Sequence, residues 1–369
     1  MGIHIVKREN CPLWKKALFY AVAIIAALLI GGIILLAIGV DPIAYYTRMF
    51  TLGTIGNKIA YKNFINYLRD FVPLALTSLA LSLAFKMRFW NIGGEGQFIM
   101  GAIGATAVAI KLGNVLPSPL VLILMCVVAM VLAGLYGLLV AALKVKFGTN
   151  ETLLTLMLNY VALYLLTFLM ETKASWNFFL QPEALRPVPQ THPAGAMFPT
   201  IPLVGKFSLN VCVIFVFIIG AIIWLYLRRT KQGYEINVVG DSANTARYAG
   251  MKVNKIVLRT VFLSACLIGL AAAFKMGTVG TLSTAITNDV GWTGIIVAWL
   301  SQLNTVAIFV VSALINVLHF GSNVAATTFK QVDSSFANML QGFILFLVLA
   351  ADFMIRFRFV RTKKEGKNE

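Results

Sequence analysis

Residues Lys86 to Ala107 read K-M-R-F-W-N-I-G-G-E-G-Q-F-I-M-G-A-I-G-A-T-A. The stretch joins two apolar segments, Phe71 to Phe85 and Phe98 to Ile110. Between them it places Asn91, Glu95 and Gln97, with glycines at 93, 94 and 96. Backbone that leaves regular helix near a bilayer is tolerated only where protein buries it or where it lines a wet cavity. Glycine permits such a break because it has no Cβ to clash, and transporters build substrate routes from broken helices of this kind. The first expectation is therefore that residues 91–97 line a translocation path. The alternative is a tight turn between two spans, with Glu95 in water.

Composition sets the context. Of 369 residues, 59% are hydrophobic and 12% charged, and the mean hydropathy is +0.84. Soluble domains carry roughly 25% charge, so most of this chain belongs in a bilayer. The net charge of +17 does not point to nucleic acid, because the basic residues gather at the ends of apolar runs, where the positive-inside rule and lipid headgroups place them. Cys126, Cys212 and Cys266 lie inside apolar runs and read as small hydrophobes. Cys11 sits beside the basic N-terminus, and no C-x-x-C pair occurs.

Taken in order, residues 1–16 form a cytoplasmic N-terminus carrying Lys7, Arg8, Lys15 and Lys16. Ala17 to Val40 is too long for a signal-peptide core and long enough to span; Asp41-Pro42 stops it. Ile43 to Asp70 mixes aromatic and basic residues, as an interfacial segment does. Phe71 to Phe85 returns inward to Lys86 and Arg88. Phe98 to Leu112, Leu120 to Leu143 and Thr152 to Met170 follow as spans, with Lys144 and Lys146 inside. Residues 171–206 hold six prolines at 182, 187, 189, 193, 199 and 202 and form the long extracellular loop.

Phe207 to Leu227 crosses inward to a strongly basic cytoplasmic loop, residues 228–255, with Asp241-Ser242 as a helix N-cap and Ala243 to Ala249 as a short helix. Ile256 to Phe274 crosses outward. The basic tail, residues 356–369, is also cytoplasmic, so the number of crossings is even. That divides the region after Val279 into two spans near Gln302-Leu303-Asn304, and Met339 to Ile355 closes the count. The resulting fold class is all-α: a polytopic membrane protein with about ten transmembrane helices in one domain, 17–355. Gly277 to Gly294 is polar for its place and reads as a second broken helix, the counterpart of 91–97 in a pseudo-repeated half.

Chemistry is notable for what the sequence lacks. There is no P-loop, no nucleophile elbow or H-E-x-x-H, and His4, His192 and His319 are not spaced for metal. No catalytic or metal residue is expected. Among the acids, Glu95, Glu151, Asp289 and Asp333 lie near span ends and Asp352 inside the last span, where it forms an i,i+4 pair with Arg356. Glu151 opens a span after Asn150, where a helix macrodipole favours a carboxylate; a functional role stands beside that local one.

Three motifs then resemble one family. W-N-I-G-G-E-G-Q at Trp90 to Gln97, N-E-T-L-L-T-L-M-L-N-Y at Asn150 to Tyr160, and G-Y-E-I-N-V-V-G-D-S-A-N-T-A-R-Y-A-G at Gly233 to Gly250 resemble the signatures of bacterial ABC-transporter permeases for nucleosides. That group also serves simple sugars and branched-chain amino acids. The resemblance implies a multi-pass subunit of the bacterial cell membrane, in contact with membrane lipid, that imports nucleosides and has no cofactor of its own. It also implies a second permease subunit, an ATP-binding cassette ATPase that holds ATP and magnesium, and an extracellular substrate-binding lipoprotein. Trp90, Asn91, Glu95, Gln97, Asn150, Glu151 and Asn159 would lie on or behind the substrate path. Gly233, Tyr234, Glu235, Gly240, Arg247, Tyr248 and Gly250 would belong to the loop that meets the ATPase. Asn237 and Asp241 depart from the family loop, and Gln302-Leu303-Asn304 lacks its usual G-R. Ribose-like sugars or branched-chain amino acids are the alternative cargoes. An ion-coupled secondary transporter using Glu95, Glu151 and Asp289 is the rival mechanism.

Overall fold

A computed structural model describes residues 2–7, 12–55, 60–204, 207–329, 331–333 and 335–362. The expectations for Arg8, Cys11, Lys58, Lys206, Lys363, Lys364 and Lys367 lie outside them. The elements in order are β1 (Gly2–Lys7), α1 (Leu13–Ala37), α2 (Pro42–Phe50), α3 (Ala60–Lys86), α4 (Gly94–Leu112), α5 (Ser118–Phe147), α6 (Glu151–Glu171), β2 (Thr200–Val204), β3 (Phe207–Asn210) and α7 (Val211–Arg229). The order continues with α8 (Lys231–Asp241), α9 (Ala243–Tyr248), α10 (Val253–Val279), α11 (Val290–Leu300), α12 (Thr305–Ala326), α13 (Ser335–Arg356) and β4 (Phe357–Thr362). Among the described residues, 8 helices are long and apolar enough to cross a membrane. The chain is an all-α multi-pass membrane protein. The polar start of α4 and the 11 residues of α11 set those two helices apart. At 1.5 Å per residue α11 is about 16 Å long, roughly half a hydrocarbon core.

The chain divides into two units. The first comprises residues 1–58 and 317–369. Here Asp41 caps α2 by accepting from the Ile43 amide at 2.9 Å, and Pro42 opens the helix, a position where its missing N–H is not needed. Tyr45 is wholly buried against Phe329 and Phe336 and hydrogen-bonds the Ser322 hydroxyl. α1 packs on α13, and the Tyr20 hydroxyl donates to Asp352 Oδ1 at 3.1 Å. Asp352 therefore has a partner on α1, while the expected Arg356 side chain lies outside the described side chains. β1 pairs antiparallel with β4 from Gly2–Thr362 to Lys7–Phe357.

The second unit, residues 59–316, holds the central packing. α10 packs on α3, α4 and α5, with small residues where helices come close, as membrane interfaces favour. A Cβ on Gly101 of α4 would lie 2.8 Å from Gly269 Cα of α10. α3 and α10 run antiparallel: Lys275 Nζ meets Asp70 Oδ1 at 2.5 Å, and the Ser264 hydroxyl donates to the Ala80 carbonyl at 2.6 Å.

Three boundaries differ from the sequence reading. Helix α3 starts at Ala60, so the segment read as interfacial continues directly into the span and delivers Asp70 to Lys275. The stretch read as a span over 279–301 is non-helical from 280 to 289, and only α11 is helix. Pro199 and Pro202 do not prevent local pairing in the 171–206 loop, where β2 pairs with β3, and α7 begins at Val211 after an Asn210 cap.

Candidate functional site

The first break lies between α3 and α4. Arg88 takes a left-handed turn (φ 59°) after Lys86. The side chains of Asn91 and Gln97 then bind each other in both directions: Asn91 Nδ2 donates to Gln97 Oε1 and Gln97 Nε2 to Asn91 Oδ1, each at 3.1 Å. Asn91 Oδ1 also accepts from the Gly93 amide at 3.1 Å. From α6, Asn159 accepts from the Gly96 amide at 2.8 Å and donates to the Ile92 carbonyl at 2.9 Å. Thr155 Oγ1 accepts from the Ile92 amide at 3.2 Å. Side-chain amides thus replace the helical ladder that the break removes, as buried backbone demands. Asn91 and Gln97 are buried and turned toward one another, so in this state they hold the break.

The second break, 280–289, begins where Gly280 (φ 76°) ends α10. An outer strap holds its upper end: the His192 amide donates to the Gly280 carbonyl at 2.8 Å, and Thr191 bridges to Thr281. Lower down, Asn288 (φ 49°) and Asp289 (φ 56°) are both left-handed.

The two breaks meet at Glu95. This residue sits in the first turn of α4 and is only 9% exposed, and its Oε2 accepts from the Gly291 amide at 2.7 Å. A Cβ on Gly291 would collide with the Glu95 backbone, so glycine alone allows the start of α11 to approach the start of α4 this closely. A carboxylate gains at a helix N-terminus, and here it is shared by two such ends. Beside it opens a cavity of about 290 Å³ lined by Glu95, Asn159, Tyr160, Thr287, Asp289 and Trp292, among others. None of its lining residues is basic.

Trp90 and Trp299 form a stacked pair, centroids 5.2 Å apart at 19°. Asn150 caps α6, accepting from the amides of Thr152 and Leu153. Glu151 pairs with Lys144 at 2.5 Å. Glu151 lines a separate hollow of about 410 Å³ with Arg88, Lys144, Gly240, Asp241 and Arg247. The seven residues expected on the path therefore separate: Glu95 and Asn159 line the cavity, Asn91 and Gln97 brace the break behind it, Trp90 stacks on Trp299, Asn150 caps α6, and Glu151 lines the hollow beside α8 and α9.

The hollow is bordered by the 228–255 loop, which the sequence reading gave one short helix and which holds two. Thr230 caps α8 and Ser242 caps α9. Gly240 rests on the Lys86 carbonyl, a contact no Cβ permits. Glu235 pairs with Arg259 of α10 at 3.0 Å. Tyr234 and Tyr248 point outward, Tyr248 94% exposed, and Gly250 (φ 77°) closes α9.

Sequence reasoning missed the Asp70–Lys275 pair, Trp299, and the cavity role of Tyr160 and Trp292. Lys275 was the available signal, a lone cation after Ala271-Ala272-Ala273-Phe274. Among the described residues, no group of three or more potential metal ligands occurs.

Comparison with known proteins places these features. The family model for the permease component of branched-chain amino acid transport systems matches residues 63–349. The chain is 27% identical to a glucose ABC transporter permease protein of Haloferax volcanii, over 95% of this chain and 92% of that one. It is 27% identical to the guanosine ABC transporter permease protein of Bacillus subtilis, over 94% and 97%. It is 28% identical to a nucleoside ABC transporter permease protein of Lactococcus lactis, over 84% of each. No solved structure matches. The chain belongs to this ABC permease family: it is a multi-pass plasma-membrane permease subunit of the nucleoside and sugar group, and subunits of this kind carry no ATPase of their own.

Proposed function

We propose that this chain forms one wall of the translocation path of an ATP-driven importer for nucleosides, and that the Glu95 cavity is where the cargo passes. The observation that carries the reading is the meeting of two broken helices at a polar hollow inside an otherwise apolar protein. Glu95 and Asp289 accept hydrogen bonds from hydroxyl or ring N–H groups, Asn159 both donates and accepts, and Trp292 and Tyr160 offer faces for a base. Two relatives named for guanosine and nucleosides support this cargo.

The glucose permease relative favours sugar as a second reading, since the same acids would bind sugar hydroxyls. A branched-chain amino acid fits less well, because its carboxylate would face two acids and no cation among the lining residues.

A second permease subunit closes the open side of the cavity, because an ionised acid facing lipid costs on the order of 3 kcal/mol. The ATPase, which holds ATP and magnesium, docks on α8 and α9. Its motion reaches the cavity by two rigid links, Gly240 on the end of α3 and Glu235–Arg259 on α10. An extracellular binding protein delivers cargo to the 171–206 side. The test is uptake of labelled guanosine, adenosine, uridine, ribose and glucose by cells with and without the chain, with and without ATP depletion. ATP-dependent nucleoside uptake that vanishes with the chain is the expected result. Sugar uptake alone would move the cargo, and uptake that follows the ion gradient would overturn the mechanism.

A further inference from the structure

Helix α11 is bounded at both ends by pairs of left-handed residues, none of them glycine: Asn288 (φ 49°) and Asp289 (φ 56°) before it, Gln302 (φ 51°) and Leu303 (φ 59°) after it. Strained backbone of this kind persists only where its surroundings impose it, and it gathers at switch regions. Two such pairs enclosing one 11-residue helix make it a rigid rod between two pivots.

The rod packs on α3 and α4, with Val297 and Ala298 wholly buried. Its upper end is held by the Glu95 carboxylate, which accepts from the Gly291 amide at 2.7 Å and also hydrogen-bonds the Trp292 backbone and the Thr287 side chain. Its middle lies on α3 through Gly294, whose Cβ would sit 3.2 Å from Thr77 Cγ2 and 3.3 Å from Leu81 Cδ1. Its lower end leans on the first break through the Trp90–Trp299 stack. Both indoles are partly exposed, 46% and 39%, and each also meets Phe85 of α3, with ring centroids 6.1 and 5.7 Å away.

Glu95 faces two ways. Its Oε2 holds Gly291, and the same side chain lines the cavity. A donor entering the cavity competes for the group that fixes the rod.

We propose that α11 is the moving gate of the path, pivoting at 288–289 and 302–303, latched shut by Glu95 on Gly291 and released when a hydroxyl or N–H of the cargo takes the Glu95 carboxylate. This rests on reading the cavity as the cargo site. The unlatched rod tilts away from α3 at Gly294 and parts Trp299 from Trp90, which opens the route toward the end of α3.

The test locks the rod to α3. In the assembled importer, with Cys11, Cys126, Cys212 and Cys266 replaced by serine, Thr77→Cys and Gly294→Cys are introduced together, their side chains being in contact range. The expected result is ATP-driven uptake at least ten-fold lower in the oxidised form than in the reduced form of the same preparation, with the Gly294→Cys single variant indifferent to oxidant. Equal uptake in both forms, with the disulfide confirmed by mass, would overturn the gate. Should the reduced pair fail to transport, spin labels on Ile296→Cys, in the middle of α11, and Lys255→Cys in the complex read the same motion. A distance that shifts between nucleotide-free and ATP-trapped states supports the gate, and an unchanged one overturns it. An unmodified importer that carries no nucleoside in the same assay would overturn the cargo reading instead, while the ATP hydrolysis rates of the oxidised and reduced forms still report on α11.

Discussion

The two broken helices are built on the same plan and held in opposite ways. The first, between α3 and α4, is braced by Asn91, Gln97, Thr155 and Asn159, which between them bind the amides of Ile92, Gly93 and Gly96 and the carbonyl of Ile92. The second, between α10 and α11, is held at its outer end by the His192 strap and at its inner end by Glu95, with two strained residues between. A helix break in a membrane is thus not inherently mobile. What decides is whether neighbouring side chains satisfy the backbone in one geometry only.

The arms that lead into the breaks come first, because they are common to both. α3 and α10 are joined by Lys275 and Asp70, with Lys275 side chain 8% exposed. Removing one partner of a buried pair strands the other charge and costs about 3–5 kcal/mol, whereas replacing both by apolar groups is often neutral. Lys275→Met is therefore expected to unfold the detergent-solubilised chain far below the wild-type temperature, and Asp70→Leu with Lys275→Met to recover most of the loss. A double variant as weak as the single one would mean that the pair does more than join the arms.

The comparison itself is tested by Asn159 and Thr287. Asn159→Ala orphans the Gly96 amide and the Ile92 carbonyl, each at about 1–3 kcal/mol for a buried group, so a loss of about 2–6 kcal/mol is expected in thermal unfolding. Thr287→Ala, in the second break, removes one hydrogen bond to Glu95 and leaves no backbone group unpaired, so a smaller loss of about 1 kcal/mol is expected by the same measurement. Equal losses would mean that the two breaks are braced alike.

The outer strap gives a pH-dependent version. Burial pushes the His192 imidazole down to about 4, from an ordinary value near 6.5. Below about pH 6.5 the unfolded chain takes a proton that the folded chain refuses, so stability falls with decreasing pH and the loss levels off below about 4. At pH 6 the expected loss is about 1 kcal/mol, and His192→Gln should flatten the dependence between pH 7 and 5.

Much of this was legible in the chain. Apolar run lengths and basic ends gave the spans, and Asn91 to Gln97 stood out because amides, an acid and glycines are out of place in such company. The polar stretch from Gly277 to Gly294 pointed to a second break. What periodicity could not carry was pairing across the fold. Nothing local ties Asp70 to Lys275, or Asn159 to Gly96, 63 residues away, and nothing tells that Asn91 and Gln97 would bind one another. Helix α8 was hidden because Gly233 and Gly240 weaken its helical signal; their use is to let it sit against α7 and the end of α3.

The smallest expected effect separates strain from mobility. Asn288 sits left-handed at a cost of roughly 1–2 kcal/mol for an L-residue, somewhat less for asparagine. Asn288→Gly removes that strain, while glycine gives back about 0.5–1 kcal/mol through the freedom of the unfolded chain. The two nearly cancel, so the melting temperature should rise slightly or not at all. Kinetics should respond more than stability. A pivot without strain no longer favours one setting of α11, so ATP hydrolysis by the cargo-free complex is expected to rise several-fold. If hydrolysis stays at the wild-type rate while the melting temperature rises, the left-handed pair is a turn that the sequence tolerates, and the second break is as fixed as the first.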